Sequence, residues 1–153
     1  MSAVRNAIRS QFPNLKAKTF KITSPQTADY NCIAWAAGDT RRYWWPIAIS
    51  FNAYWPEGVS RLVAKESFIM AFETLGYEPC SDGKLEANYE KVVLYVDTDG
   101  KPSHMARQLP SGIWTSKLGQ GNDIEHQTAR GLEGSLYGKV SLYMKRRLPQ
   151  NSQ

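Results

Sequence analysis

Apolar positions along the chain follow a helical spacing in residues 29–37 and 60–75 and a strand-like one from about residue 90. Residues 29–37 open with Asp29, which suits a helix N-cap. They run through Cys32, Ile33, Ala34, Trp35, Ala36 and Ala37 to Gly38, which suits the C-cap. A helix this apolar all round is a buried one. From Ser60 to Leu75 the positions Leu62, Val63, Ile69, Phe72 and Leu75 predict a second helix, with Gly76 as its stop. Between the two, residues 39–58 carry Tyr43, Trp44, Trp45, Pro46, Phe51, Tyr54, Trp55 and Pro56. The prolines rule out a long helix there, so an ordered aromatic loop folding back towards its origin is expected.

After Glu90 the pattern turns to β. Val92 to Val96 is a β-branched and aromatic strand, Asp97-Thr98-Asp99-Gly100 a turn, and Ser103–Leu109 the returning strand. Pro110-Ser111-Gly112 makes a three-residue hairpin loop into Ile113–Lys117, and Leu136–Arg147 reads as a further strand, broken at Gly138. Helices first and an antiparallel meander second predict an α+β fold in one domain, residues 1–148, with a frayed tail at 149–153.

Composition narrows the classes. With 153 residues, 42% hydrophobic and 22% charged, the chain is neither collagen-like nor a coiled coil. The net charge is +5, and its densest clusters, Arg41-Arg42 and Lys145-Arg146-Arg147, are too short to mark a nucleic-acid surface and read as solvated element ends. Two cysteines, Cys32 and Cys80, read as free thiols of a reducing compartment. No signal peptide is visible in Met1–Phe20 and no window is long enough to span a membrane, so a cytoplasmic protein is expected, with export that bypasses a signal peptide left open. The chain lacks paired Cys-x-x-Cys, His-Glu-x-x-His and zinc-spaced His and Cys; Gly119-Gln120-Gly121 leads into no helix. Neither a metal nor a cofactor is expected.

Two residues carry candidate chemistry. Cys32 falls in the first turn of the buried helix, where free backbone N–H groups favour a thiolate. His104 falls on the strand after the Asp97–Gly100 turn. If Leu109 pairs with Ile113, then Gln108 faces Trp114, and His104, Ala106, Gln108, Trp114 and Ser116 share one sheet face. The small Ala106 leaves room for a cysteine-bearing helix to approach the imidazole, the arrangement a Cys-His nucleophile needs. Ser116 is the first candidate to orient His104, with Asp123, Glu125 and His126 in the following loop as rivals. Gln108 is placed either at an oxyanion site or in a structural role.

Helix-start cysteine, helical stretch, strand histidine and a polar position twelve residues on resemble the permuted papain-like fold of the NlpC/P60 and lecithin-retinol acyltransferase superfamily over roughly residues 28 to 118. That resemblance implies a papain-like architecture with Cys32 as nucleophile, His104 as base and Ser116 as the third residue. The sequence departs from the pattern in Asn31, where Asp is usual, in the apolar run after Cys32, and in the serine at the third place. The segments Asn31-Cys32-Ile33-Ala34-Trp35, Ser103–Leu109 and Trp114–Gly119 also resemble a family of small bacterial proteins.

Three functions follow as expectations. The first is a cysteine hydrolase or acyltransferase acting on an amide or (thio)ester, with a peptide or acyl substrate bound by Trp44, Trp45, Trp55, Gln108 and Trp114. The second is a module of the same fold without turnover that binds a protein partner through its tryptophans. The third, a nucleic-acid binder, rests only on Arg41 and Arg42 interleaved with Trp44 and Trp45.

Overall fold

The computed structural model describes residues 3–16, 19–47, 53–118 and 121–149. Phe51, Gly119-Gln120 and the tail from residue 150 lie outside them. The elements run α1 (Ala3–Gln11), β1 (Phe20–Ser24), α2 (Cys32–Ala37), α3 (Lys65–Glu73), β2 (Glu78–Cys80), β3 (Tyr89–Val96), β4 (Pro102–Gln108), β5 (Trp114–Lys117), β6 (Asp123–His126), a 3-10 turn (Ala129–Leu132) and β7 (Lys139–Arg147). All seven strands form one sheet in the order β1-β6-β5-β4-β3-β7-β2, every pairing antiparallel.

This corrects the expected α+β, papain-like arrangement of N-terminal helices on a C-terminal meander. Both edge strands, β1 and β2, come from the first 80 residues, and the three α-helices among the described residues are only nine, six and nine residues long. The molecule is predominantly a sheet. Neither edge strand announces itself locally: β2 has three residues centred on Pro79, and β1 has five, with Lys21 between Phe20 and Ile22. Each is held by a ladder to a longer or better-packed partner, a long-range stabilisation that no local pattern reports. For the same reason β6 occupies a segment expected to be a loop.

Strand alternation divides the core in two. On one face Val92, Leu94, Met105 and Met144 pack against Ile33, Ala34 and Ala36 of α2, Phe68 and Phe72 of α3, and Trp44 and Trp55. On the other, Val93, Tyr95, Ala106, Trp114 and Ile124 pack against Ile8 and Phe12 of α1 and Leu132. The hairpin between β4 and β5 has the expected register, Gln108 opposite Trp114. β7 starts only after Gly138, whose φ of 80° suits glycine and where a Cβ would collide with the Val96 carbonyl. Its basic end is neutralised by neighbours: Lys145 pairs with Glu86 and Arg146 with Glu90, each at 3.0 Å.

Helix α2 begins later than expected and with another cap. Asn31, not Asp29, is the N-cap, its Oδ1 accepting from Ala34 N at 3.1 Å. The same Oδ1 accepts from Trp44 N at 3.0 Å, and Nδ2 donates to Trp44 O at 2.7 Å. One buried amide therefore caps α2 and fastens the aromatic loop to it. α3 likewise starts five residues after Ser60, which leaves Leu62 exposed. Asn31→Ala removes a cap and two buried hydrogen bonds and should lower the unfolding free energy by about 2–4 kcal/mol in urea titrations; a loss below about 0.5 kcal/mol would contradict the role given to this amide.

Candidate active site

Cys32 is the first residue of α2 and is buried. Burial dominates its sulfur and pushes the thiol up to about 11, against the backbone N–H groups of Met105, Ile33 and Cys32 itself and the charge of Lys117, which all favour the thiolate. The Met105 N–H belongs to the peptide that follows His104, so the cysteine sits against that peptide. The two side chains leave it in opposite directions: Met105 packs in the Cys32 cluster, while His104, opposite Tyr95 on β3, faces the other one.

His104 is fully buried and stacked on Tyr137, ring centroids 4.0 Å apart at 7°. A run of hydrogen bonds that begins two strands away, on β6, fixes its tautomer. His126 Nδ1 lies 2.9 Å from the Thr128 carbonyl, which can only accept, so Nδ1 carries the proton. Burial lowers His126 to about 4, so the ring is neutral at pH 7 and its Nε2 is a bare acceptor. Ser116 Oγ, 2.8 Å away, must then donate to it. The serine oxygen in turn accepts from His104 Nε2 at 3.1 Å. Burial, and secondarily the His126 charge, holds His104 well below its usual range, so it too is neutral. Its remaining lone pair, on Nδ1, is buried and has no hydrogen-bond partner among the described residues.

The structure thus brings His104, Ser116 and His126 together across β4, β5 and β6. The chain forms where the β4–β5 ladder, whose paired residues are Arg107 with Thr115 and Gln108 with Trp114, has ended. The hydrogen bond between Cys32 and His104 is not made, since Nδ1 is unpartnered and Nε2 is used by Ser116.

The other site candidates scatter. Trp44 and Trp55 are each only 3% exposed and pack on Phe72 and Phe68, filling the space between loop and α3, and Trp44 also lines a cavity of about 630 Å³ with Asp39, Arg42 and Leu75. Half-buried Trp45 packs edge-on against Phe68. Gln108 and Trp114 lie on the His104 face but apart from its hydrogen-bond chain: Gln108 Nε2 donates to Gly83 O at 2.8 Å and Trp114 packs against Tyr143. Asp123 faces the Cys32 side, accepting from Tyr30 OH at 2.6 Å, and half-buried Glu125 lies opposite Lys21. A cavity of about 480 Å³ beside the chain leading into α2 is lined by Asp29, Arg41, Arg42, Tyr43 and Tyr54. Among the described residues no three His, Cys, Asp or Glu converge as metal ligands, and no helix is long and apolar enough to cross a membrane.

Residues 21–145 match a family described as Domain of unknown function (DUF7689). The chain belongs to that family. No curated protein and no solved structure gives a match. The DUF7689 match takes in Cys32, His104, Ser116, Lys117 and His126 and leaves α1 outside.

His126 is expected in a loop, Asn31 stands in the sequence only as a departure from a family pattern, and Lys117 only as a strand end. The signal for His126 was available: Ile124 alternates with Asp123 and Glu125, a strand pattern that puts His126 on the inner face with Ile124.

The buried neutral histidines give a pH dependence with a definite sign. In the unfolded chain both titrate near 6.5, whereas in the fold both are depressed, so the unfolded state binds more protons as pH falls below about 6.5. Unfolding free energy should therefore drop by roughly 2 kcal/mol or more between pH 7 and pH 5. As the chain has two histidines, the double variant His104→Gln, His126→Gln should flatten that slope in denaturant titrations; an unchanged slope would refute the assignment.

Proposed function

We propose that the protein is a thiol-dependent hydrolase or acyltransferase acting on an amide or (thio)ester, with Cys32 as nucleophile and His104 as general base through Nδ1. Cys32 attacks the carbonyl while Nδ1 takes the thiol proton. The amine, alcohol or thiol then leaves with that proton, and a thioester to Cys32 remains. Water or another acyl acceptor attacks the thioester, gives its proton to Nδ1 and restores the thiol. Ser116 and His126 hold the His104 ring in the tautomer that presents the bare nitrogen.

The observation that carries this reading is the buried lone pair on His104 Nδ1, left without a partner on the residue whose following N–H faces the Cys32 sulfur. An unmet buried acceptor costs about 1–3 kcal/mol, and the hydrogen-bond chain keeps this nitrogen unprotonated while burial lowers its basicity. The Cys32 sulfur and the His104 ring stand on opposite sides of β4, so catalysis requires α2 and β4 to shift until the thiol meets Nδ1.

A second reading, a module that binds a protein or peptide without turnover, is favoured by one fact: burial leaves the Cys32 thiol at about 11, far from the reactive range. Acylation with p-nitrophenyl acetate, followed by intact-protein and peptide mass spectrometry, separates the two. The enzyme reading expects one acetyl group on Cys32, lost in Cys32→Ala, unaffected by Cys80→Ser and formed at least about 100-fold more slowly in His104→Ala. Acylation that ignores His104→Ala, or that prefers Cys80, would leave only the binding module.

A further inference from the structure

Lys117 has no exposed surface, although it ends a strand whose other residues, Trp114, Thr115 and Ser116, already supply the packing. A buried ammonium is costly unless something gains from its charge. Its hydrogen-bond partner is the carbonyl of Gly121, and its nitrogen stands 5.3 Å from the centre of the Tyr30 ring. Asp123, its rung partner on β6, is turned to Tyr30 OH through one oxygen, while the other oxygen is buried without a partner. Among the described residues no carboxylate closes an ion pair with Lys117, so its charge is left to act on whatever lies over it.

What lies over it follows from how α2 crosses the sheet. Trp35 Nε1 donates to Thr115 Oγ1 at 3.0 Å, which puts the C-terminal half of α2 over β5. Cys32, three residues earlier, is on the same side of the helix. Lys117, two residues beyond Thr115, is on the same side of the strand. Tyr30, just before the helix, already reaches Lys117. Cys32 therefore lies between two contacts that tie α2 and its lead-in to this face of β5, and the Cys32 and Lys117 charges act on each other in both directions.

We propose that Lys117 is a positioning residue for Cys32: held under the first turn of α2, its ammonium stabilises the thiolate that burial opposes, and Asp123 tempers that cation. The proposal deepens the thiol-enzyme reading and rests on it for its use, though the electrostatic coupling stands or falls separately. The other charged or titratable groups around this pair among the described residues include Asp29, which acts on Lys117, Tyr30 beside Lys117, Tyr43, which Cys32 acts on, His104, whose following N–H meets the sulfur, and Arg107 on β4, whose guanidinium is taken up by the Trp35 carbonyl and ring.

The test measures the iodoacetamide reaction rate of Cys32 against pH in the full chain carrying Cys80→Ser, with circular dichroism as a check on folding. Lys117→Met should slow the reaction at pH 7 about tenfold and move the profile about one unit to higher pH. Lys117→Arg should restore the rate to within about threefold, and Asp123→Asn, which keeps an acceptor for Tyr30, should change it in the opposite direction, to faster reaction. A merely structural lysine would not give opposite signs at its two ends. An unchanged rate in Lys117→Met, or slowing in Asp123→Asn, overturns the proposal. Should Lys117→Met not fold, the Arg and Asn variants decide by the same signs. A coupled thiol that forms no acyl adduct would sink the enzyme reading and leave this one standing.

Discussion

The structure turns on a single serine hydroxyl. Ser116 Oγ has one proton to give and gives it to His126, so it can only accept from His104. This choice is forced from the far end, by a backbone carbonyl that pins the His126 proton on Nδ1. Three side chains on three adjacent strands thereby hold the sheet together beyond the paired β4–β5 rungs. They also leave a bare nitrogen next to the peptide that the cysteine helix touches. A polar chain buried this completely is costly unless nearly all of it is satisfied, and here all of it is except His104 Nδ1.

The two faces of the sheet then divide the labour. The His104 face, closed by α1, Tyr137 and the 3-10 turn, keeps both histidines dry and neutral. The α2 face sets the cysteine, with Asn31 capping the helix and clamping Trp44 in the same motion. Trp44 and Trp55 belong to that support, since their rings fill the gap towards α3. A cysteine carried on a six-residue helix owes its position to these tertiary contacts, because a helix so short has little stability of its own.

How far this was legible in the sequence follows from how local each cause is. The β4–β5 hairpin could be placed to the residue, because a three-residue loop sets the register and alternation does the rest. From that register the shared face of His104, Ala106, Gln108, Trp114 and Ser116 followed, and the structure keeps it. The cap of α2 was misplaced by two residues because Asp29 and Asn31 are both good caps, and only the fold shows that Trp44 returns to bond one of them. The edge strands β1 and β2 were invisible because each is stabilised by a distant partner. Lys117 drew no notice because a lysine at a strand end is ordinarily solvated, and its burial depends on where α2 lands.

His104 is neutral, carries its proton on Nε2 and offers Nδ1 as the acceptor. Imidazole nitrogen-15 NMR of the native protein at pH 7, with His104 assigned by His104→Gln, tests it most directly. A neutral His104 ring with a protonated Nε2 and an unprotonated Nδ1 is expected. A proton on Nδ1, or a charged imidazolium, would contradict it.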